Sequence, residues 1–497
     1  MSGADANKEL YNELRKLTPD ELLRDEIPRF DRASPRERAQ RVSLVRAAGV
    51  VFSESGSKAQ REIVRAWLRD LLNDHDEKIR RYAMTALPKL GATAEDERAL
   101  LTLMKSSSIE REKKFLAETL EKIGGVATLE QLPALAPRTE QKVKAAIART
   151  EQPGRIRLDH TLAQVSGVRI HLRGRDGLEM IVRSEVEEAI LRSGKFRIVS
   201  CTKGLVVLAP TAPFSLGEIY ALRCFGTLAF LIGRTDMAAL PAIITAPDTR
   251  RIFDAFTEGT VRYRIEFVGK GHQRAAVQHI AEKAYARCPA ILNDPRQALW
   301  MIEVRTDTVE LRPRISPDPR FAYRQQDVPA ASHPPLAACM VRLAGPMNDE
   351  VVWDPFCGSG VELVERAIAG GVRALHGTDL SAEALDAARR NLTAAGLDKV
   401  PAHFACTDFR AYGGLRRGEA SLVISNPPMG RRVPIPNMRG LFQDLLQKST
   451  EVLRPGGRLI FPNPLKMDAP PRGLVLVSRQ PVDMGGFECK LELYRRG

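Results

Sequence analysis

The loop from Ser425 to Gly430 reads SNPPMG, and its residue types suit the holding of a planar amine. Pro427 and Pro428 fix their own φ angles and remove two backbone donors, so the carbonyls before them stay available as acceptors in a stiff loop. An exocyclic amine offers two N–H donors. The side-chain oxygen of Asn426 and the carbonyl of Pro427 can take both, while Met429 packs softly against a ring face. A structural turn would use the same prolines, so the loop gains meaning from a second stretch, VVWDPFCGSG at Val351 to Gly360. There a short apolar run ends in Asp354 and the turn Cys357-Gly358-Ser359-Gly360, which lets the backbone pass close to a ligand as a helix begins. Such turns also serve nucleotides and dinucleotides. The dinucleotide fingerprint GxGxxG is absent, and a pyrophosphate disfavours an adjacent carboxylate.

These residues need a frame to bring them together. From Glu350 onward, strand-like VVWDPF, RALHGTDL, PAHFACTDF and ASLVISNPP alternate with helical VELVERAIAGG and AEALDAARRNLTAAG. A helix around Leu441 to Leu453, expected to end at Arg454-Pro455-Gly456-Gly457, precedes one more strand, RLIFPNP. The natural arrangement is a mostly parallel sheet with helices on both faces, whose ligand crevice lies beyond the carboxyl ends of the strands. Asp354, Asp379 and Asp408 each close one of those strands, and SNPP follows the fourth. An acid about 20 residues after a glycine turn suits a bidentate bond to ribose hydroxyls. Cys357 has no neighbouring histidine and is expected to be an inert small residue.

This arrangement resembles the class I S-adenosylmethionine-dependent methyltransferases, on the motifs DPFCGSG, TDL, TDF and NPPM. The resemblance implies that Asp354, Phe356, Cys357, Gly358, Ser359 and Gly360 surround the methionine moiety of S-adenosylmethionine. Asp379 and Leu380 then lie at the ribose, Asp408 and Phe409 at the adenine, with Asn426 serving cofactor and acceptor. The catalytic set implied is Asn426, Pro427, Pro428 and Met429. Related loops usually carry an aromatic residue at the position of Met429, so Phe442 and Phe461 are the candidates to stack on the target base. Arg431 and Arg432 follow the loop and are candidates for target phosphates. In SHPPLAA, Ser332 is the expected helix cap; the resemblance puts His333 near the methionine end of the cofactor.

The middle of the chain changes rhythm after EQPGR at Glu151 to Arg155. VRIHLR, a helical GLEMIVRSEVEEAILRSG and FRIVSCTKGLVVLAP, two strands around Thr-Lys-Gly, give an α+β layout. LGEIYALRCF is expected to be helical and TLAFLIG extended. A second unit begins at Thr260, with Arg262 and Arg264, and later Arg312 and Arg314, alternating with apolar neighbours as a face that could track phosphates. The stretch Thr260 to Arg314 resembles a THUMP domain, and GLEMIVRSEVEEAI with IYALRCFGTLAFLI resembles the ferredoxin-like region that accompanies it. FAYRQQDVPAASHPPLAACMVRLA at 321 to 344 resembles the junction into the methyltransferase domain of THUMP-containing RNA guanosine-N2 methyltransferases. The resemblance runs from about Val168 to the end of the chain.

Before it, from Ser34 to about Arg149, apolar residues recur at three- and four-residue spacing between short polar turns. RYAMTALPKLG at Arg81 and KFLAETLEKIG at Lys114 superpose with a shift of 33 residues. Such a period suits stacked helical pairs, and DEKIRRYAMTALPKLG resembles half of a HEAT repeat. The expected fold class is therefore multidomain, with an N-terminal HEAT-like α-solenoid over 1–153, a central ferredoxin-like and THUMP-like α+β module over 154–320, and a C-terminal Rossmann-like α/β domain over 321–497.

Composition bounds these readings. The 497 residues are 44% hydrophobic and 27% charged, which describes a globular chain, and a net charge of +14, densest in the middle third, suits a polyanionic partner. The seven cysteines include no CxxC pair and no histidine at metal-ligand spacing, so neither a disulfide framework nor a metal site is expected. No signal core or run of about eighteen apolar residues occurs, so a cytoplasmic address without membrane contact is expected. The resemblance implies methyl transfer to guanosine N2 of tRNA or rRNA by direct in-line displacement, with RNA gripped by the middle module and a protein partner possible at the helical repeats. N6-adenine or protein glutamine N5 methylation would use the same loop chemistry. A scaffold with a degraded methyltransferase domain would keep only the fold.

Overall fold

The computed structural model describes residues 3–131, 137–150, 153–328, 331–430, 435–466 and 470–497. Its contacts group the chain into two compact units, Met1–Arg155 with Thr235–Ile302, and Ile156–Arg234 with Glu303–Gly497. This grouping cuts across the segment 154–320, giving its first half to the unit of the C-terminal sheet and most of its second half to the unit of the N-terminal helices.

In the first unit, helices start where the sequence supplies reciprocal caps. Ser34, Ser57 and Thr93 accept from backbone N–H groups three residues on while Glu37, Gln60 and Asp96 reach back, an arrangement worth roughly 1 kcal/mol at each end. The repeated segments bury equivalent positions, since Leu87, Leu90 and Leu120 belong to one core against which Ile123 packs. Arg262 does not join the arginine face expected at Val261–Phe267. Arg262 is 1% exposed, bonded to the carbonyl of Pro153 and 3.5 Å from Asp294, which also pairs with Arg149 at 2.8 Å. A carboxylate brought in by the fold captures a side chain that strand alternation alone would point outward.

In the second unit, five strands run antiparallel in the order Thr308–Pro313, Thr227–Arg234, Ile170–Arg173, Leu205–Pro210, Phe196–Thr202. The Thr202-Lys203-Gly204 turn is as expected, with Gly204 at φ +65 supplying the left-handed position. LGEIYALRCF forms only the short helix Leu216–Ile219, capped by Ser215 and Glu218. Arg312 donates to Glu303 at 2.5 Å, so it too is committed to an ion pair.

The C-terminal sheet positions the site. Its strands are β1 (Glu350–Asp354), β2 (Val372–Asp379), β3 (Ala402–Cys406), β4 (Ala420–Ile424), β5 (Leu453–Asn463), β6 (Leu474–Asp483) and β7 (Glu488–Arg496). They lie in the order β3-β2-β1-β4-β5-β7-β6. Pairings from β3 through β5 are parallel, while β7 runs antiparallel to both β5 and β6. The antiparallel pair was not legible as such in the sequence. Helices α1 (Pro334–Ala344), α2 (Val361–Ile368), α3 (Ala382–Ala394) and α4 (Met438–Val452) accompany the sheet. The strand order reverses at β1, whose neighbours are β2 and β4, and a crevice opens at such a switch point beyond the strand ends. At the opposite end of β1 a buried ion pair, Arg366 to Glu350 at 2.6 Å, ties α2 to the strand.

Candidate methyl-transfer site

Asp354 ends β1 with no exposed surface. Its Oδ1 accepts from the Phe356 N–H at 3.0 Å and from the Ser425 hydroxyl at 2.5 Å, while Oδ2 has no partner. The turn after it is pinned to β2, because Cys357 N–H donates to the Thr378 carbonyl at 3.0 Å and the Thr378 hydroxyl to the Pro355 carbonyl at 2.9 Å. Gly358 and Gly360 take φ angles of +48 and +78. A Cβ on Gly360 would lie 2.9 Å from that of Ala388, so the turn needs glycine there for both backbone and space. Asp379, at the end of β2, accepts from Gly358 N–H at 3.0 Å and from Ser381 N–H at 2.9 Å, which brings two expected site residues into direct contact.

Leu380 beside it is 75% exposed, an apolar surface at the mouth of the crevice suited to a flat base. Asp408 caps a short turn and pairs with Arg410 at 2.8 Å, leaving it half exposed. Phe409 is buried, its ring 4.9 Å from Phe356, and serves as a packing residue behind the crevice. Cys357 is buried, and burial followed by the charges of Asp354 and Asp379 pushes its thiol well above the usual range, in keeping with an inert role.

The acceptor loop follows β4. The Asn426 Nδ2 donates to the Ser332 hydroxyl at 2.9 Å, and its Oδ1 is buried without a partner. Ser332 also acts on the carboxyl of Glu362, in the first turn of α2, and lowers it against the larger effect of burial. Ser332 therefore does not cap α1, whose N-cap is His333 without a side-chain bond; its hydroxyl is held by the site. Glu362 is only 2% exposed and keeps one oxygen unpartnered, as does Ser359. Burial, with the charge of Glu362 next, raises the Asp354 carboxyl well above its ordinary range; burial likewise raises Glu362. Sequence reasoning missed Glu362, Ser425 and the role of Ser332. An acid in the first turn of a helix ordinarily reads as an exposed charge that suits the helix dipole, and nothing local marks this one as buried.

Other expected residues lie elsewhere. Met429 is half-buried, with its sulfur 3.7 Å from that of Cys489 on β7. Phe442 and Phe461 cannot stack on a substrate, since both are wholly buried and packed on each other at 5.8 Å, with Tyr494 behind Phe461. His333 lines a separate cavity. Arg431 and Arg432 fall outside the described residues. Among the described residues no cluster of three or more His, Cys, Asp or Glu side chains is placed to hold a metal, and no helix is long and apolar enough to cross a membrane.

Residues 322–468 match the family model described as "RMKL-like, methyltransferase domain". This segment is a methyltransferase domain. A methyltransferase domain implies S-adenosylmethionine as the methyl donor. The site suits that group: the orphaned oxygens of Asp354, Glu362 and Ser359 match an ammonium, the glycine turn admits close approach, and Asp379 and Leu380 suit ribose and base. Among curated proteins, a tRNA (guanine(10)-N2)-dimethyltransferase of Methanothermobacter thermautotrophicus is 29% identical over 147 residues, 28% of this chain and 40% of that protein. A ribosomal protein L11 methyltransferase of Azotobacter vinelandii is 32% identical over 143 residues, 29% of this chain and 42% of that protein. The chain thus spans about two fifths of the length of these relatives. The crystal structure of TrmN from Thermus thermophilus superposes with a TM-score of 0.53 at 21% identity, over 66% of this chain and the whole of the other, which shows a common fold.

Proposed function

We propose that this chain transfers a methyl group from S-adenosylmethionine to an exocyclic amine of an RNA base, namely N2 of a guanosine in tRNA or rRNA. The observation that carries this reading is the buried, unpartnered Oδ1 of Asn426, an acceptor whose orientation is fixed by the bond from Nδ2 to Ser332. Bound S-adenosylmethionine supplies an electrophilic methyl group on a sulfonium. Asn426 Oδ1 and the Pro427 carbonyl accept the two N–H groups of the amine and orient its lone pair. Positioning of this kind supplies much of the acceleration of an in-line displacement. No strong base is needed before attack, because the amine proton becomes acidic only as nitrogen gains charge, and solvent then takes it. A paired base would first be flipped out.

Guanine is favoured by the archaeal tRNA relative and by the family resemblance at 321–344. RNA is favoured by the THUMP-like middle region, the basic charge and the tRNA relative. The N-terminal helices are read as a HEAT-like array presenting a surface to a protein or RNA partner, and the cytoplasm as the place of action. Methylation of a protein amide is the second reading, favoured by the relative that is a ribosomal protein methyltransferase. Asn426→Ala is expected to lower kcat about 100-fold with cofactor affinity unchanged in calorimetry. Full activity in that variant would remove Asn426 from the mechanism.

A further inference from the structure

The second unit carries another cavity, of about 420 Å³, lined by Arg173, Arg175, Lys203, Arg305 and His333. Glycines at 174, 204 and 226 contribute to its walls, so backbone as well as side chains can approach a ligand. Most of the charges around it are paired with carboxylates. Glu310, wholly buried, accepts from Arg173 Nε at 2.8 Å and Arg305 Nε at 3.0 Å and lies 2.7 Å from His171 Nδ1. Burial raises its carboxyl, but Arg173 and His171 outweigh that and hold it far below the usual range. Glu303 accepts from Arg305 and Arg312, each at 2.5 Å, and Asp176 lies 3.4 Å from Lys203 Nζ. Arg173, Arg305, Arg312 and Lys203 thus each meet a carboxylate, and Glu179 accepts from the Gly204 N–H at 3.2 Å.

Arg175 makes none of these pairs. Its Nη1 donates to the Asp483 backbone carbonyl at 2.9 Å, its Nε is buried without a partner, and the Asp483 carboxylate acts on it only at longer range. Burial pulls its guanidinium below the ordinary range, a penalty that an anion beside it would relieve. Lys203, at the tip of its hairpin, is 79% exposed along its side chain and can swing to a ligand. Arg173 and Arg305, clamped on Glu310, form a rigid cationic wall behind these two.

One peptide bond and one hydrogen bond link the lining of this cavity to the acceptor loop. His333 lines it, and Ser332, the preceding residue, holds the Asn426 amide. We propose that the cavity is a phosphate site, taking a backbone phosphodiester of the RNA strand next to the target nucleotide, with Arg175 and Lys203 as its donors. The proposal rests on the reading of this chain as an RNA methyltransferase. It assigns to the cavity the anchoring of the strand that presents the base, a task that needs positive charge near the acceptor loop and carries no sequence readout.

The test uses the full chain with Lys203→Ala, which alters an exposed side chain, and Arg175→Gln, which keeps a donor for the Asp483 carbonyl. RNA affinity is measured by anisotropy across a salt titration, and S-adenosylmethionine affinity by calorimetry. Each substitution is expected to weaken RNA binding about threefold and to flatten the dependence of log K on log salt by about 0.7–0.9, with cofactor affinity unchanged. Inorganic phosphate is expected to compete with RNA in the wild-type chain and less so in the variants. Folded variants with unchanged RNA affinity and salt slope would overturn the assignment. So would loss of cofactor rather than RNA binding, or phosphate that binds at the cavity without displacing RNA. If the wild-type chain bound and methylated no RNA, the functional reading would fall as well; if it did and the variants matched it, only this site would fall.

Discussion

The amide of Asn426 has two orientations that differ only in which end faces the acceptor, and one hydrogen bond chooses between them. The Ser332 hydroxyl accepts from Asn426 Nδ2, so Oδ1 is left for an incoming N–H. Ser332→Ala should lower kcat about tenfold, the worth of one such bond, without changing cofactor affinity, and Ser332→Thr, which retains the hydroxyl, should recover most of the loss. Steady-state kinetics at saturating donor checks both. The neighbouring carboxyls make a second prediction. Burial raises Asp354 and Glu362 above the ordinary carboxyl range of about 4, so the free site retains protons there that an unfolded chain would have lost. A ligand ammonium favours the charged forms, so binding expels protons. Cofactor affinity should therefore strengthen as pH climbs from the ordinary range through the raised values and then level off. Calorimetry in buffers of different ionisation enthalpy should register proton release; proton uptake would contradict this account.

At the scale of elements, the glycine turn between β1 and α2 carries the most specific requirement. Gly360→Ala places a Cβ at a φ of +78 and against Ala388, and should cost about 1–3 kcal/mol, read by denaturant unfolding. Much of this frame was legible in advance. Apolar runs closing in Asp354 and Asp379 gave the strand ends, and the Thr202-Lys203-Gly204 turn gave a hairpin, because those signals lie within a few residues of the features they announce. The contacts that complete the site are not of that kind. Ser332 and Asn426 are 94 positions apart, Ser425 and Asp354 are 71 apart, and the burial of Arg262 depends on Asp294. Periodicity assigns a face to a side chain but says nothing about which distant partner the fold will bring to it.

At the scale of the whole molecule, the chain carries a net charge of +14, but several of its arginines are held by carboxylates. Arg262 and Arg312, which alternation pointed to a phosphate-tracking face, pair with carboxylates, whereas Arg175 in the cavity bonds only to a backbone carbonyl. The methyltransferase match covers residues 322–468, so the substrate must be decided by experiment on the full chain. The most direct measurement supplies the purified protein with isotopically labelled S-adenosylmethionine and, separately, unmodified tRNA, rRNA and ribosomal protein, then digests each product for mass spectrometry. The account predicts label in N2-methylguanosine of RNA, lost with Asn426→Ala. Label in a protein amide or in N6-methyladenosine, or no label from a chain that binds the cofactor, would contradict it.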